Sequence, residues 1–162
     1  MAADVTKKNT VLSLYERCRR LPLGDRLFTT IVARRAPYFR SISPYIVALT
    51  PGSCEVLVKK AKPVLNHIGT MHVIAIINGL EMAMGVMAEA SIPEGLRWIP
   101  KGMNVDYTAK AATDIRCLAS LDQAHWRPGD VDVDVVALDA GGEPVVKGKI
   151  RLWITERRAR AD

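Results

Sequence analysis

The chain has few cysteines and few aromatic residues, and both shortages exclude classes of protein. Its three cysteines, Cys18, Cys54 and Cys117, are odd in number and widely spaced, so they form neither a metal-binding motif nor a disulfide framework. Aromatic residues make up only 6% of the 162 residues and are not interleaved with basic ones, which argues against a nucleic-acid-binding surface. The N-terminus also lacks the apolar core of a signal peptide. We therefore expect a cytoplasmic protein that does not bind nucleic acid.

Sequence motifs for phosphate, nucleophile or metal sites are also missing. The chain contains no glycine-rich phosphate loop, no nucleophile elbow and no cysteine-centred motif, and no two of its three histidines are four residues apart. Asp130, Asp132 and Asp134 alternate with valines, which predicts the polar face of a strand and not a calcium-binding loop. We expect neither a metal nor a cofactor.

The apolar periodicity divides the chain into elements that suit one domain with a sizeable core. Helical spacing covers residues 9–20, and a second helix follows that Asp25 caps and Pro37 ends. β-rich runs between turn residues predict strands at 45–49, 54–59, 97–109, 114–120, 131–138 and 145–154. Pro100 places the third strand at a sheet edge or a bulge. This order predicts an α+β fold in which a curved antiparallel sheet wraps around one long central helix. Residues 1–40 would form an N-terminal helical extension and residues 41–157 the main domain.

The predicted central helix is the stretch around which the chain is organised. Gly69 supplies a turn, Thr70 is a good N-cap, and residues 71–88 carry no charge except Glu81. A helix that is apolar on all sides is buried, and this run is interrupted before it reaches the roughly 20 apolar residues of a membrane span. We therefore expect a helix enclosed by the sheet and no transmembrane segment.

Glu81 is the residue of this helix that most needs an explanation. Burial makes a carboxylate costly unless it is paired, and it raises the pKa towards the range of a general base. The alternative is a structural ion pair, or a hydrogen bond across a subunit interface. At the helix start, the amides of Met71, His72 and Val73 predict a site for a carbonyl oxygen that becomes an oxyanion. Val73 and Glu81 lie about 12 Å apart along the axis, so one carbonyl can reach both only if two subunits share the site.

These residues resemble a known family of enzymes. Asn66, the run Gly69-Thr70-Met71-His72 and the acidic residue nine positions later are similar to the hotdog-fold acyl-CoA thioesterases of the phenylacetate-pathway type. Residues 97–107 bring the chain closest to an uncharacterised, DUF4442-like bacterial branch of the hotdog proteins. The resemblance covers about residues 44–155, and its specific part is confined to 66–107. It implies a hotdog domain at 41–157 that acts on an acyl-CoA or acyl-carrier-protein thioester as a homodimer or a dimer of dimers.

The resemblance also implies roles for individual residues. Asn66 would contact the thioester or the attacking water, and the amide of Val73 would polarise the thioester carbonyl. Glu81 of the partner subunit would be the general base or the nucleophile. Beside these roles, we expect His72 to belong to the catalytic group by positioning the motif turn, and Gly69 of that turn to contact the substrate. The chain departs from the family in two ways: Val73-Ile74 replaces the usual Gly-Gly, and no Ser or Thr stands where some members hold the water.

Substrate contacts further along the chain and the activity itself allow alternatives. Trp98 and Met103 fit an acyl pocket and fit core packing equally well. A thioesterase is the first hypothesis, and a hotdog protein that binds an acyl group without turnover is the second. A hotdog dehydratase comes third, because no histidine is placed opposite Glu81 for that chemistry.

Basic residues are concentrated near the N-terminus. Residues 7–40 hold nine basic residues and two acidic ones, so much of the net charge of +6 arises there. A solvated face of a helical cap, contact with the phosphates of coenzyme A, and contact with an anionic membrane surface all agree with this pattern.

Overall fold

Three helices and six strands form the part of the chain that the computed structural model describes, residues 9–157. In chain order they are α1 (Thr10–Arg19), α2 (Gly24–Arg35), β1 (Tyr45–Thr50), β2 (Ser53–Val58), α3 (Val73–Ser91), β3 (Leu96–Tyr107), β4 (Ile115–Ser120), β5 (Gly129–Leu138) and β6 (Pro144–Glu156). Short 3-10 turns at Pro37–Ile42, Lys62–Val64 and Gln123–His125 lie between them. The strands form one antiparallel sheet in the order β1-β2-β4-β5-β6-β3, which places β1 and β3 at its edges.

Helix α3 packs on one face of this sheet and contacts β1, β2, β4 and β5. Ile76, Leu80, Met82 and Met87 are almost fully buried, because apolar residues occupy nearly every angular position of the helix. Within residues 9–157, α3 alone is long and apolar enough to cross a bilayer, but 67% of its most apolar window is buried inside the chain. It is therefore the core helix, and the predicted sheet around one long central helix is confirmed.

Strand β3 is a long edge strand with one irregularity. It pairs with β6, and its register shifts between Pro100 and Gly102. Proline lacks the N–H that a sheet requires, so a bulge on an edge strand accommodates it. The predicted edge strand or bulge at Pro100 is confirmed, and no other strand of the described chain borders the free side of β3.

The two N-terminal helices pack on the sheet domain. The rings of Tyr15 and Phe28 meet edge to face with centroids 5.0 Å apart, and both belong to the same apolar core as α3 and the sheet. The hydroxyl of Thr29 accepts a hydrogen bond from the amide of Ile46 at 3.0 Å, which ties α2 to β1. Asp25 lies in the first turn of α2 and does not cap it, so that detail of the sequence analysis was wrong. The division at residue 40 stays a prediction.

Charged side chains cover the other face of the sheet. Along β5, buried valines alternate with aspartates, and each aspartate meets a cation from β3 or β6. The pairs are Lys101–Asp130 at 2.9 Å, Arg151–Asp132 at 2.7 Å and Lys149–Asp134 at 2.7 Å. The predicted polar strand face is confirmed, with lysine and arginine neutralising the carboxylates.

Candidate active site

Asn66 organises the turn that precedes α3. Its Oδ1 accepts hydrogen bonds from the amides of Ile68 and Thr70, both at 3.1 Å, and its Nδ2 donates to Thr70 Oγ1 at 2.8 Å. Gly69 takes a φ of +77°, a left-handed conformation that favours glycine. These bonds leave one Nδ2 hydrogen of Asn66 without a partner among the described residues. Its predicted contact with a thioester or a water stays a prediction.

Helix α3 is capped by His72. The Nδ1 atom of His72 accepts a hydrogen bond from the amide of Ile74 at 3.1 Å, which leaves the ring proton on Nε2. The hydroxyl of Thr70 is already bound to Asn66. The prediction that Thr70 caps a helix beginning at residue 71 is therefore wrong by two residues, and His72 acts on the local backbone as an N-cap.

Long-range hydrogen bonds explain why the helix begins late. The amide of Met71 donates to the carbonyl of Ala111 at 2.8 Å, and the amide of His72 donates to the carbonyl of Val64 at 2.7 Å. Met71 also forms an isolated antiparallel bridge with Leu65. These bonds hold residues 71 and 72 in an extended conformation against neighbouring segments, and the first helical residue is Val73.

The amide of Val73 is the only one of residues 71–76 without a hydrogen-bond partner in the described part of the chain. The other five donate to the carbonyls of Ala111, Val64 and His72 or to the side chain of His72. Of the three amides predicted to bind an oxyanion, the structure leaves only that of Val73 free. It lies at the positive end of a 19-residue helix, where a developing negative charge is stabilised.

A cavity of about 280 Å³ brings part of the predicted site together. Asn66, His72 and Val73 line it, and Tyr107 closes one side from the end of β3. The other lining residues are His67, Thr70, Met71, Ile76, Ala109, Lys110, Ala111, Val145 and Val146. Gly69, Glu81, Trp98 and Met103 do not line it. One chain therefore supplies the amide donor and an adjacent cavity, and the carboxylate lies elsewhere.

The strand ends that enclose this cavity were not predicted from the sequence. Tyr107 lies within the segment 97–107 that carries the family resemblance, but no residue pattern indicated that its side chain faces the helix start. The turn at residues 109–111 and the first residues of β6 were likewise outside the predicted site. The pairing of Tyr107 with Val146 explains their meeting, because β3 and β6 are antiparallel neighbours.

Glu81 is half-buried, so the predicted burial of its carboxylate is only partial within one chain. It lies on the strip of α3 that the sheet leaves partly uncovered, which consists of Ile74, Ile77, Glu81, Gly85 and Glu89. No described residue forms a hydrogen bond or an ion pair with its carboxylate. The predicted structural ion pair is therefore not formed within residues 9–157, and the carboxylate is free to act on another molecule.

Trp98 and Met103 lie on the same side of β3 as α3. The indole of Trp98 packs over Gly85, where an added Cβ would lie 3.5 Å from the ring, and its Nε1 donates to the carboxylate of Glu89 at 3.0 Å. Met103 stands opposite buried Ile150 and is itself 37% exposed. Trp98 therefore borders the strip that holds Glu81, and the substrate contacts of both residues stay predictions.

An apolar surface of this chain is left uncovered beside that strip. Met103 and Tyr107 are exposed on the helix side of β3, and Ile74 is 51% exposed on α3. β3 is also an edge strand, and no described strand pairs with its free side. Within residues 9–157 no group of three or more His, Cys, Asp or Glu side chains could hold a metal ion.

Comparison with known proteins gives the family of this chain and the solved structures that it resembles. A family model described as a domain of unknown function, DUF4442, matches residues 24–154. The crystal structure designated genomics APC5556 is 40% identical with a TM-score of 0.80, and the match covers 91% of this chain and 99% of that one. A Pseudomonas aeruginosa protein of unknown function, PA5026, called a probable thioesterase, is 21% identical with a TM-score of 0.74 over 85% of this chain and 97% of that one.

A Haemophilus influenzae thioesterase, HI1161, is 9% identical with a TM-score of 0.66 over 77% of this chain and 87% of that one. At these identities the two thioesterase-like structures show the fold, and they confirm the predicted hotdog architecture. No curated protein matches the chain.

Proposed function

Since the chain belongs to the DUF4442 family, a domain of unknown function, and shares its fold with thioesterases, we propose that it hydrolyses an acyl-CoA thioester. The observation that carries the proposal is the amide of Val73, which has no partner among residues 9–157 and begins the central helix beside a cavity. A donor fixed in the backbone at a helix N-terminus suits the oxyanion that forms when a thioester carbonyl is attacked.

The chemistry assigned to one chain is polarisation of the carbonyl. The thioester oxygen would accept a hydrogen bond from Val73, and the remaining Nδ2 hydrogen of Asn66 would hold the thioester or the attacking water. Because His72 caps the helix and Asn66 fixes the turn, both donors are held in place before substrate arrives.

The missing carboxylate would come from a second copy. The uncovered strip of α3, the exposed apolar side of β3 and the free edge of that strand are adjacent, and a partner pairing there buries all three. A two-fold arrangement of this kind sets Glu81 of the partner subunit beside the first subunit's helix start. Glu81 would then act as the general base or as the nucleophile.

The finer resemblance supports a thioesterase of the phenylacetate-pathway type, and the three isolated cysteines suit a location in the cytoplasm. Coenzyme A and acyl carrier protein both fit as carriers of the acyl group. Val73-Ile74, which replaces Gly-Gly, adds two branched side chains at the helix start, and Ile74 is 51% exposed there. The approach to the Val73 amide is therefore narrower than in relatives with two glycines, which favours slim acyl groups.

A second function, acyl binding without turnover, is favoured by the same pair of branched residues. Two β-branched side chains at the helix start slow the approach of water and still contact an acyl chain. Tight acyl-CoA binding by calorimetry together with no thiol release would select this function.

The experiment that tests the proposal is thiol release from short, long and aromatic acyl-CoAs by wild type and Glu81→Gln. A general base contributes about 10²–10⁴-fold, so the glutamine variant should lose at least 10²-fold of the kcat on the best substrate. Glu89→Gln is the matched control, because it lies on the same strip of α3 and its amide oxygen still accepts from Trp98. A loss below about tenfold in Glu81→Gln, or an equal loss in both variants, would refute the role of Glu81.

A further inference from the structure

Exposed leucines are concentrated in the turn between α1 and α2. Leu21 is 54% exposed, Leu23 is 72% exposed and Leu27, in the first turn of α2, is 44% exposed. Pro22 lies between the first two and is also exposed. We name these four residues the leucine tip. A cluster of large apolar side chains in the turn between two helices is a surface that a partner or a lipid bilayer can cover.

Two backbone hydrogen bonds and one close contact fix the backbone of the leucine tip. The amide of Leu21 donates to the carbonyl of Cys18 at 2.8 Å, and the amide of Gly24 donates to the carbonyl of Leu21 at 3.0 Å. A Cβ at Gly24 would lie 1.8 Å from the carbonyl oxygen of Cys18, so only glycine fits this close turn. These local contacts therefore fix the backbone of the turn in the conformation that leaves the leucines exposed.

Leu23 is strained in this position. Its φ of +57° is a left-handed conformation that costs a leucine free energy and that glycine or asparagine adopts readily. Its side chain gains no burial in return, because most of it faces solvent. Backbone strain that is retained without better packing indicates that the Leu23 side chain serves contact with another molecule.

Arginines flank the leucine tip in the sequence. Arg17, Arg20 and Arg26 are exposed, while Arg19 lies over the Tyr15 ring and 3.5 Å from Asp25. Residues 16–27 hold these four arginines and two acidic residues, so the local charge is positive. Arginine can extend its guanidinium to a charged surface while its methylenes lie along apolar groups.

From these features we propose that the leucine tip docks the chain on an anionic lipid surface. The leucines would enter the boundary between head groups and acyl chains, and the arginines would bind the lipid phosphates. Stable peripheral attachment requires two signals, and the tip carries both an apolar and a basic one. Leucines exposed at a helical turn suit a bilayer better than a protein partner, which usually receives apolar side chains in a pocket. The proposal goes beyond thioester hydrolysis and does not depend on it.

The test is co-sedimentation of the full chain with vesicles of phosphatidylcholine, alone or mixed with phosphatidylglycerol. We expect binding to the anionic vesicles at least about tenfold tighter than to the neutral ones, and weakened by salt. Leu23→Gly should weaken vesicle binding while the protein stays folded, because glycine fits the left-handed φ. Arg20→Glu and Arg26→Glu should each weaken it by more than about fivefold, the effect of one lost basic residue.

Matched controls come from the rest of the surface. Arg127→Glu changes an exposed arginine far along the chain, and Val47→Ser removes an apolar side chain that is 40% exposed on β1. Both should bind anionic vesicles as wild type does. Equal binding to neutral and anionic vesicles, no binding at all, or tip variants that bind like the controls would each overturn the proposal. Tip variants that change the oligomeric mass in solution without affecting vesicle binding would assign the tip to contacts between copies and would also overturn it.

Discussion

The role of the Val73 amide can be tested by a substitution that removes the N–H and keeps the helix. Val73 is the first residue of α3, the position where proline is best tolerated. The preceding residue, His72, has φ −65° and ψ 130°, which is the extended conformation that a residue before proline prefers. Since the amide of Val73 has no partner among residues 9–157, Val73→Pro breaks no hydrogen bond of the described fold.

The expected loss follows from the loss of one oxyanion donor. Removing such a donor costs about 10²–10³ in kcat, or about 2.7–4 kcal/mol of transition-state stabilisation. The free energy of unfolding should change by less than about 1 kcal/mol, which shifts the Tm of a chain of this size by about 2–4 °C at most. Val73→Ala is the control, because it removes the branched side chain and retains the N–H.

Two assays distinguish the possible results. Thiol release gives kcat for Val73→Pro and Val73→Ala, and thermal unfolding checks that both variants are folded. A folded proline variant with the kcat of the alanine variant would show that this amide does not bind the reacting oxygen.

A site shared between two subunits predicts in addition that two inactive variants restore each other's activity. When inactive Val73→Pro and inactive Glu81→Gln are mixed, half of the dimers formed at random carry one intact site, so activity should return to about a quarter of wild type. No recovery after verified subunit exchange would refute the shared site.

Two further predictions concern stability. Gly79→Ala should lower the Tm, because the added Cβ would lie 2.7 Å from the Sγ of Cys117. Such overpacking costs about 1–3 kcal/mol, whereas the higher helix propensity of alanine stabilises the chain by only about 1 kcal/mol. Adding Cys117→Ala should restore much of the loss by making room, and a Gly79→Ala chain that melts higher than wild type would contradict the close contact. Arg151 holds the pKa of Asp132 below its ordinary value, so the stabilisation by this pair is present above the carboxyl's unfolded pKa and is lost as pH falls through the folded one. Asp132→Asn should therefore lower the free energy of unfolding by at most about 1 kcal/mol at neutral pH and by less in acid. Thermal unfolding of both chains at the two pH values measures this. If the difference in stability between wild type and variant is the same in acid as at neutral pH, the pair does not contribute as stated.

Much of the fold could be predicted because apolar periodicity reports directly on burial. The alternation along β5 placed Asp130, Asp132 and Asp134 on one face, and the structure pairs all three with cations. Pro100 predicted the edge strand because a proline cannot donate to a sheet. The uniform apolarity of α3 predicted its central position.

The same uniformity explains what could not be predicted about Glu81. On a helix that is apolar on all sides, the sequence does not show which strip the sheet leaves uncovered, so we expected Glu81 to be buried. The first residue of α3 was missed for another reason. It depends on carbonyls of Val64 and Ala111, one of them 40 residues away along the chain, and local capping preferences contain no information about such partners.

The unpaired amide at residue 73 has a consequence for how proteins with this helix start can diverge. Any amino acid except proline supplies the same N–H, so the donor belongs to the position in the fold and not to the residue that occupies it. Under the proposed function, side chains at residues 73 and 74 are then free to vary, and each exchange alters the width of the approach to this N–H while the donor atom stays in place. A thioesterase of the proposed kind can therefore change its substrate preference by substitution at these two positions without losing its oxyanion donor.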